Sequence, residues 1–395
     1  MSAADSFEVA IAGGALVGAA LARALRGAPV ALVSRERRAP TPPGAVDFDS
    51  RVYAISPGNA AFLARLGAWS AIPQARRTPV HAMRVYGDDG ESLIEFDAYR
   101  AGCGELAWIV EDRLLQDALW SGLESQDGLT LFSAASLEAL EIAAGHARLG
   151  LEDGRSLNAQ LVVGADGARS LVRAQAGIAV EARAYGQHAV VANFACSRPH
   201  RNVALQWFQG ARKHGAVLAL LPLPANHVAM VWSAPDAEAA RLLALSPAAL
   251  AREVMMASRD SVGELALVTP QRGFALQQLS ARRMVAPRVA LAGDAAHVMH
   301  PLAGQGANLG LQDARVLADV LRAREPGRDA GDPRLLRRYA RGRAEDILAM
   351  RTTVHGLFRL FGAGGAGVSR LRNAGLNFAD RIPVLKNLLM RQAMA

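Results

Sequence analysis

Apolar positions gather in short uninterrupted runs at residues 9–12, 30–33, 161–163 and 289–292, and the runs stop at Gly13, Ser34, Gly164 and Gly293. Runs of this length, bounded by small residues, predict strands buried on both faces, as in a parallel sheet. Helical spacing follows the first and the last, from residue 16 to about Arg26 and over residues 307–321. A second set of strand-like stretches lies at 83–86, 92–96, 188–194, 203–208, 217–221 and 228–232. These predict a second, mainly antiparallel sheet. The expected class is α/β, with one domain assembled from residues 1–75, 101–180 and 276–345. Residues 76–100 and 181–275 would form an inserted sheet domain, and 346–395 C-terminal helices.

Composition narrows the picture mostly by exclusion. A chain of 395 residues can bury a substantial core and fill two or three sub-domains. Cys103 and Cys196 are its only cysteines, too few for a disulfide framework or a cysteine metal site. No metal is expected, and a reducing cytoplasm is the expected compartment. The first eight residues are acidic and lack an apolar core, so no signal peptide is expected. The longest apolar stretch, 216–232, is interrupted by Pro222, Pro224, Asn226 and His227, and no transmembrane helix is expected.

The net charge of +8 is unevenly spread. Over residues 351–395, seven basic residues stand against one acid, Asp380, among apolar residues such as Leu357, Phe358, Leu385 and Leu389. Basic amphipathic helices of this kind suit an anionic membrane surface or a partner's groove. A helical pair packed on the main body with solvated arginines has the same pattern. Aromatic residues make up only 5% and no binding motif accompanies the charge, so nucleic acid is not an expected partner.

Three glycine turns carry the candidate chemistry. Gly293-Asp294 ends a predicted strand where an open α/β sheet presents its ligand-binding edge, so Asp294 would offer a carboxylate to a hydroxylated ligand. Beyond Pro301, the sequence Gly304-Gln305-Gly306 leads into the helix expected from Ala307 and Asn308. The N-terminus of that helix would bring unpaired N–H groups and a positive dipole end to the ligand. A reduced flavin, anionic at N1 and C2=O, is stabilised by such donors. Near the start of the chain, Gly13-Gly14-Ala15-Leu16-Val17-Gly18 opens a helix in dinucleotide-type βαβ order, with Ala15 at the middle glycine's place. Ser34 ends the second strand where an acid is usual, followed by Arg35 and Glu36, and can hydrogen-bond a ribose hydroxyl more weakly. The third turn, Gly164-Ala165-Asp166-Gly167, has Arg173 further on; Asp166 reads either as a ligand contact or as a helix N-cap.

Together the three turns resemble the FAD-dependent aromatic hydroxylases, the class A flavoprotein monooxygenases. Four more stretches narrow the resemblance to the ubiquinone-biosynthesis hydroxylase family: residues 49–56, beginning Asp49-Ser50-Arg51; 108–116, including Glu111-Asp112-Arg113; Tyr185-Gly186-Gln187; and 388–394. The likeness covers nearly the whole chain. Ala15, Ser34 and Asp112, where the family usually carries Asn, depart from the pattern.

The resemblance implies a Rossmann-like FAD-binding domain of the aromatic-hydroxylase type. It implies reduction by NADH, NADPH or a small redox protein, and hydroxylation by O2, through a flavin C4a-hydroperoxide, of a polyprenylated phenol in ubiquinone biosynthesis. Pro301 would lie near the flavin face, and the amides of Gly306, Ala307 and Asn308 near N1 and O2. Arg51, Arg113 and Gln116 become FAD contacts, and Asp294 meets ribityl or ribose hydroxyls. No protein nucleophile is expected. The antiparallel sheet would roof the flavin, and Trp207, Phe208, Leu221, Trp232 and Phe274 would line an apolar substrate pocket or serve as ordinary core. His297 and His300 read as loop-stabilising or as a general base. A prenylated substrate implies work at the inner face of the membrane, on its surface or within a ubiquinone-biosynthesis complex. Two other functions stay open: a soluble hydroxylase of a small phenol, and a non-catalytic assembly subunit that binds FAD or lipid.

Overall fold

The computed structural model describes residues 5–36, 47–89, 92–209, 215–299 and 306–362. Strand Asp5–Ala12 pairs in parallel with Val30–Ser34 on one side and with Ser156–Gly164 on the other. The parallel ladder continues to Leu129–Ser133 beyond the former and to Val289–Leu291 beyond the latter. Both faces are covered, which is why these strands read as unbroken apolar runs. Val9 and Ile11 pack with helices Leu16–Ala24 and Gly306–Arg322, while Ala10 and Ala12 pack with the opposite layer around Leu149, Leu157 and Val172. Register sets Val33, Ala12, Gly164 and Leu291 side by side. The three glycine turns therefore leave the same edge of one sheet.

The second large sheet is built on Val180–Cys196, a 17-residue strand paired antiparallel with His227–Pro235 and Arg272–Ala281. Helices Asp236–Leu243 and Pro247–Ala257 cover one of its faces. A small three-stranded sheet, Val52–Ile55, Ala107–Glu111 and Thr78–Val80, contributes Val80 and Ile109 to a core shared with Ala204, Leu223 and Ala229 of the large sheet.

Register also separates the aromatic residues expected in a substrate pocket. Trp207 pairs across from Leu218, and Leu218 from Trp232, so both tryptophans belong to the helix-covered face. Trp232 is fully buried, and Trp207 stacks on Tyr86 with centroids 5.4 Å apart. Both pack in the core, the outcome of strand parity: successive side chains alternate faces, and one position decides which. Phe208 shares the opposite face with Val217, Ser233, Ala189 and Phe274, which lie in one row across the sheet. Leu221 is partly buried on that side against Val80 and Ile109.

At the C-terminal end, one helix, Pro333–Gly362, runs through the expected division at residue 345. Residues 363–395, which hold most of the expected basic amphipathic segment, lie outside the described residues. Among the described residues, no helix is long and apolar enough to cross a membrane.

Candidate functional site

The first turn depends on glycine. Gly13 has φ +107°, and a Cβ there would sit 2.2 Å from the Ala165 carbonyl oxygen, so only glycine lets the first and second turns touch. Helix Leu16–Ala24 starts after Ala15 with no side-chain cap and no acid in its first turn. Its leading amides and positive dipole end are thus left for an anion such as a pyrophosphate. A Cβ at Gly18 would lie 1.8 Å from the Gly13 carbonyl oxygen, so the helix packs directly on the turn. Trp120 Nε1 donates to the Gly14 carbonyl at 2.8 Å and pins the turn from outside. Ser34 is buried and donates to the Glu36 carbonyl at 3.0 Å, which leaves its lone pairs as acceptors; Arg35 and Glu36 are exposed.

In the second turn, both readings of Asp166 find a use. Its Oδ2 accepts from the amides of Leu171 at 2.8 Å and Val172 at 3.2 Å, capping the short helix Leu171–Gln175. Its Oδ1 is buried and has no hydrogen-bond partner among the described residues. A buried carboxylate oxygen without a donor is costly, and a bound hydroxyl or amide would satisfy it. Arg173, by contrast, is committed to carbonyls: Nη1 to Ala295 at 2.9 Å and Nη2 to Ala168 at 2.8 Å. It ties the second turn to the third and is not free for a ligand.

The third turn presents Asp294. Gly293 has φ +61°, and a Cβ there would press against Val17 Cγ2 at 2.9 Å, so the third turn touches the first. The Asp294 side chain is accessible. Crowding by protein nevertheless raises its carboxyl above the usual range, against the opposing pull of His297 and Arg51. Arg51 lies over the rings of Tyr53, at 5.4 Å, and Phe274, at 5.9 Å. Burial alone would lower the Arg51 guanidinium, but Tyr53, Asp112, Asp294 and Asp49 together hold it above its ordinary value. Burial pushes the Tyr53 phenol up, and its hydrogen bond with Asp112 adds to this.

Several expected contacts are partly engaged within the protein. Gln116 Nε2 donates to Asp112 Oδ1. The Arg113 amide donates to Asp49 Oδ2 at 3.2 Å and its Nη2 to the Asp47 carbonyl at 2.6 Å. Arg113 Nε is buried without a partner among the described residues. The Asn308 side chain is engaged at both ends: Oδ1 accepts from the Ser56 amide and Asn59 Nδ2, both at 3.0 Å, and Nδ2 donates to the Ala54 carbonyl at 2.7 Å. Its carbonyl also accepts from Asn59 Nδ2 at 3.2 Å, so the main-chain amide is what it would offer a ligand. Gly306 opens helix Gly306–Arg322 and Ala307 is half-buried. Pro301, Gly304, Gln305 and His300 lie outside the described residues.

Behind Gly293 lies a closed polar cluster that no sequence motif announced. Asp313 Oδ2 accepts from the Gly293 amide at 2.9 Å and from His297 Nε2 at 2.7 Å, and Oδ1 accepts from Arg343 Nε at 2.8 Å. Asp313 and Arg343 are both fully buried. Burial would raise the Asp313 carboxyl, yet His297 and Arg343 hold it below the usual carboxylate range. His297 is therefore a structural donor to Asp313, in line with its loop-stabilising reading.

The uncapped helix start, the unpaired Asp166 Oδ1 and the unpaired Arg113 Nε together suit a ligand with phosphates and hydroxyls, as FAD has. The chain matches the family described as FAD binding domain over residues 6–352. The ubiquinone hydroxylase UbiL of Rhodospirillum rubrum is 36% identical over 388 residues, covering 98% of this chain and 89% of that one. The 3-demethoxyubiquinol 3-hydroxylase of Escherichia coli is 35% identical over 393 residues, covering 98% of each. The crystal structure of p-nitrophenol 4-monooxygenase PnpA from Pseudomonas putida DLL-E4 has the same fold, with a TM-score of 0.79 over 99% of each chain at 19% identity. The chain thus belongs to the ubiquinone-biosynthesis hydroxylase family and is an FAD-dependent monooxygenase.

Proposed function

We propose that the chain hydroxylates the aromatic ring of a polyprenylated phenol intermediate of ubiquinone biosynthesis, with O2 and electrons from NADH, NADPH or a small redox protein. The observation that carries this reading is the convergence of three turns at one sheet edge, beside an accessible group of Arg51, Tyr53, Asp294 and the exposed ring of Phe274. Bound FAD supplies electron transfer and oxygen activation. The protein's share is to bind, orient and exclude water.

The residues divide that work. The amides after Gly13, Gly14 and Ala15 would take the pyrophosphate, and Ser34 with Arg35 and Glu36 the adenosine ribose. Arg51, Arg113 and Gln116 would hold the phosphates and ribityl chain, while Asp166 and Asp294 accept from hydroxyls. The main chain of Gly306, Ala307 and Asn308 would donate toward the ring's anionic edge. Pro301, Gly304 and Gln305 belong to the same proposed segment by sequence. Phe274 is exposed and Leu221 partly buried on the sheet face opposite helices Asp236–Leu243 and Pro247–Ala257, which suits an apolar ring substrate, whereas Phe208 on the same face is buried against Val85, Ile94 and Met350. The relatives named for ubiquinone and demethoxyubiquinol chemistry support the substrate class. A prenylated substrate resides in the bilayer, and the basic, apolar composition of residues 351–395 supports association with an anionic surface or with a biosynthetic complex.

The test is the quinone profile, by mass spectrometry, of a strain lacking this gene, restored with the wild type or with Asp294→Ala. The expected result is accumulation of a prenylated precursor lacking one hydroxyl, cleared by the wild type and not by the variant. An unchanged ubiquinone pool would overturn the proposal and direct attention to small soluble phenols.

A further inference from the structure

The cluster behind Gly293 joins two helices to the turn that carries Asp294. Tyr339 and Arg343 stand one turn apart on helix Pro333–Gly362 and grip successive points of one strand-to-turn junction. Tyr339 donates its hydroxyl to the carbonyl of Leu291, the last residue of its strand, at 2.7 Å. Arg343 reaches the next segment through Asp313, whose other oxygen holds the Gly293 amide and His297. Arg343 also donates from Nη2 to Gln312 Oε1 at 3.0 Å and pairs through Nη1 with Asp346. Asp294 lies between the two points that Asp313 fixes, so its direction is determined on both sides.

We infer that Arg343 is a positioning residue for the cofactor site: by holding Asp313, it fixes the Gly293–His297 turn and so presents Asp294 to the cofactor. Arginine suits the task because its fork can hold the Asp313 carboxylate, the Gln312 amide and Asp346 at once, which a lysine point charge cannot reproduce. Without it, Asp313 becomes a buried anion with no full counter-charge, and the carboxylate that holds the turn must protonate or rearrange. The inference rests on the FAD site proposed above.

The experiment compares apoprotein of the wild type, Arg343→Met, Arg343→Lys and Leu336→Ala. Leu336 is buried on the same helix and packs in the apolar core, so its truncation destabilises that helix without touching the polar cluster. FAD affinity is read by flavin fluorescence, local opening by amide exchange at Gly293, and site geometry by visible circular dichroism of bound flavin. Arg343→Met is expected to weaken FAD about ten-fold, speed Gly293 exchange and change the flavin dichroism, with part of the loss recovered in Arg343→Lys. Leu336→Ala, compared at equal loss of Tm, should leave the dichroism and affinity near wild type. Equal weakening by Arg343→Met and Leu336→Ala, or an unchanged FAD affinity in Arg343→Met, would overturn the inference while leaving the FAD site intact. A wild-type apoprotein that does not take up FAD would overturn both.

Discussion

Asp294 and Asp313 sit on the two sides of one turn and are displaced in opposite directions. Asp313 is fully buried, has donors on both oxygens, and is held below the usual carboxylate range by His297 and Arg343. Asp294 is accessible, and crowding raises it above that range, with Arg51 and His297 only partly compensating. The protein meets the needs of the first carboxylate and leaves those of the second to a ligand. The same division runs through the site: Arg173 and the Asn308 side chain are committed to the framework, whereas Asp166 Oδ1 and Arg113 Nε are unpaired among the described residues.

The comparison breaks most readily from the buried side. Asp313→Ala strands Arg343 in the core and should cost about 3–5 kcal/mol of stability, measured by urea unfolding of the apoprotein. In the inserted sheet, Trp232→Ala should cost a similar amount, about 3–5 kcal/mol, because Trp232 is core. Phe274→Ala, at an exposed position on the other face, should stay within about 0.5 kcal/mol of the wild type and act on substrate KM instead.

Asp294→Ala probes the accessible side. It should weaken FAD binding by about 10- to 100-fold, the size of one hydrogen bond to a charged group, while leaving the stability of the apoprotein nearly unchanged. Flavin fluorescence titration and urea unfolding read the two effects separately.

The pH dependence of stability gives the smallest effect, and its sign separates the two aspartates. Asp313 has a depressed carboxyl, so its contribution is complete above about pH 4 and is lost as pH falls through the folded value. Asp294 has a raised carboxyl, so the folded state is penalised as pH rises from about 4 through its folded value. Unfolding of the apoprotein between pH 3 and about 7 should show Asp313→Asn flattening the acid-side loss and Asp294→Asn removing the decline on the rising side.

How much of this was legible follows from how local each signal is. The three turns could be read because each couples an apolar run to a glycine within a few residues, and parallel pairing then brings their ends together. Asp166 was legible as a cap or a contact, but sequence could not show that one oxygen serves each purpose. The Asp313–Arg343 pair joins residues thirty positions apart on different helices. Its one available signal was a charged residue within the apolar spacing of residues 309–321. Trp207 and Trp232 could not be assigned a face, because strand parity depends on register and a run such as 228–232 is apolar on both sides. Trp120, which pins the Gly14 carbonyl from more than a hundred residues away, left no local sign.

The most direct test of the division between the two sides is FAD titration and urea unfolding on one pair of apoproteins, Asp294→Asn and Asp313→Asn. The account predicts that Asp294→Asn loses FAD affinity while matching or exceeding wild-type stability at neutral pH, and that Asp313→Asn loses stability. An Asp294→Asn apoprotein that binds FAD as the wild type does, or unfolds as readily as Asp313→Asn, would contradict it.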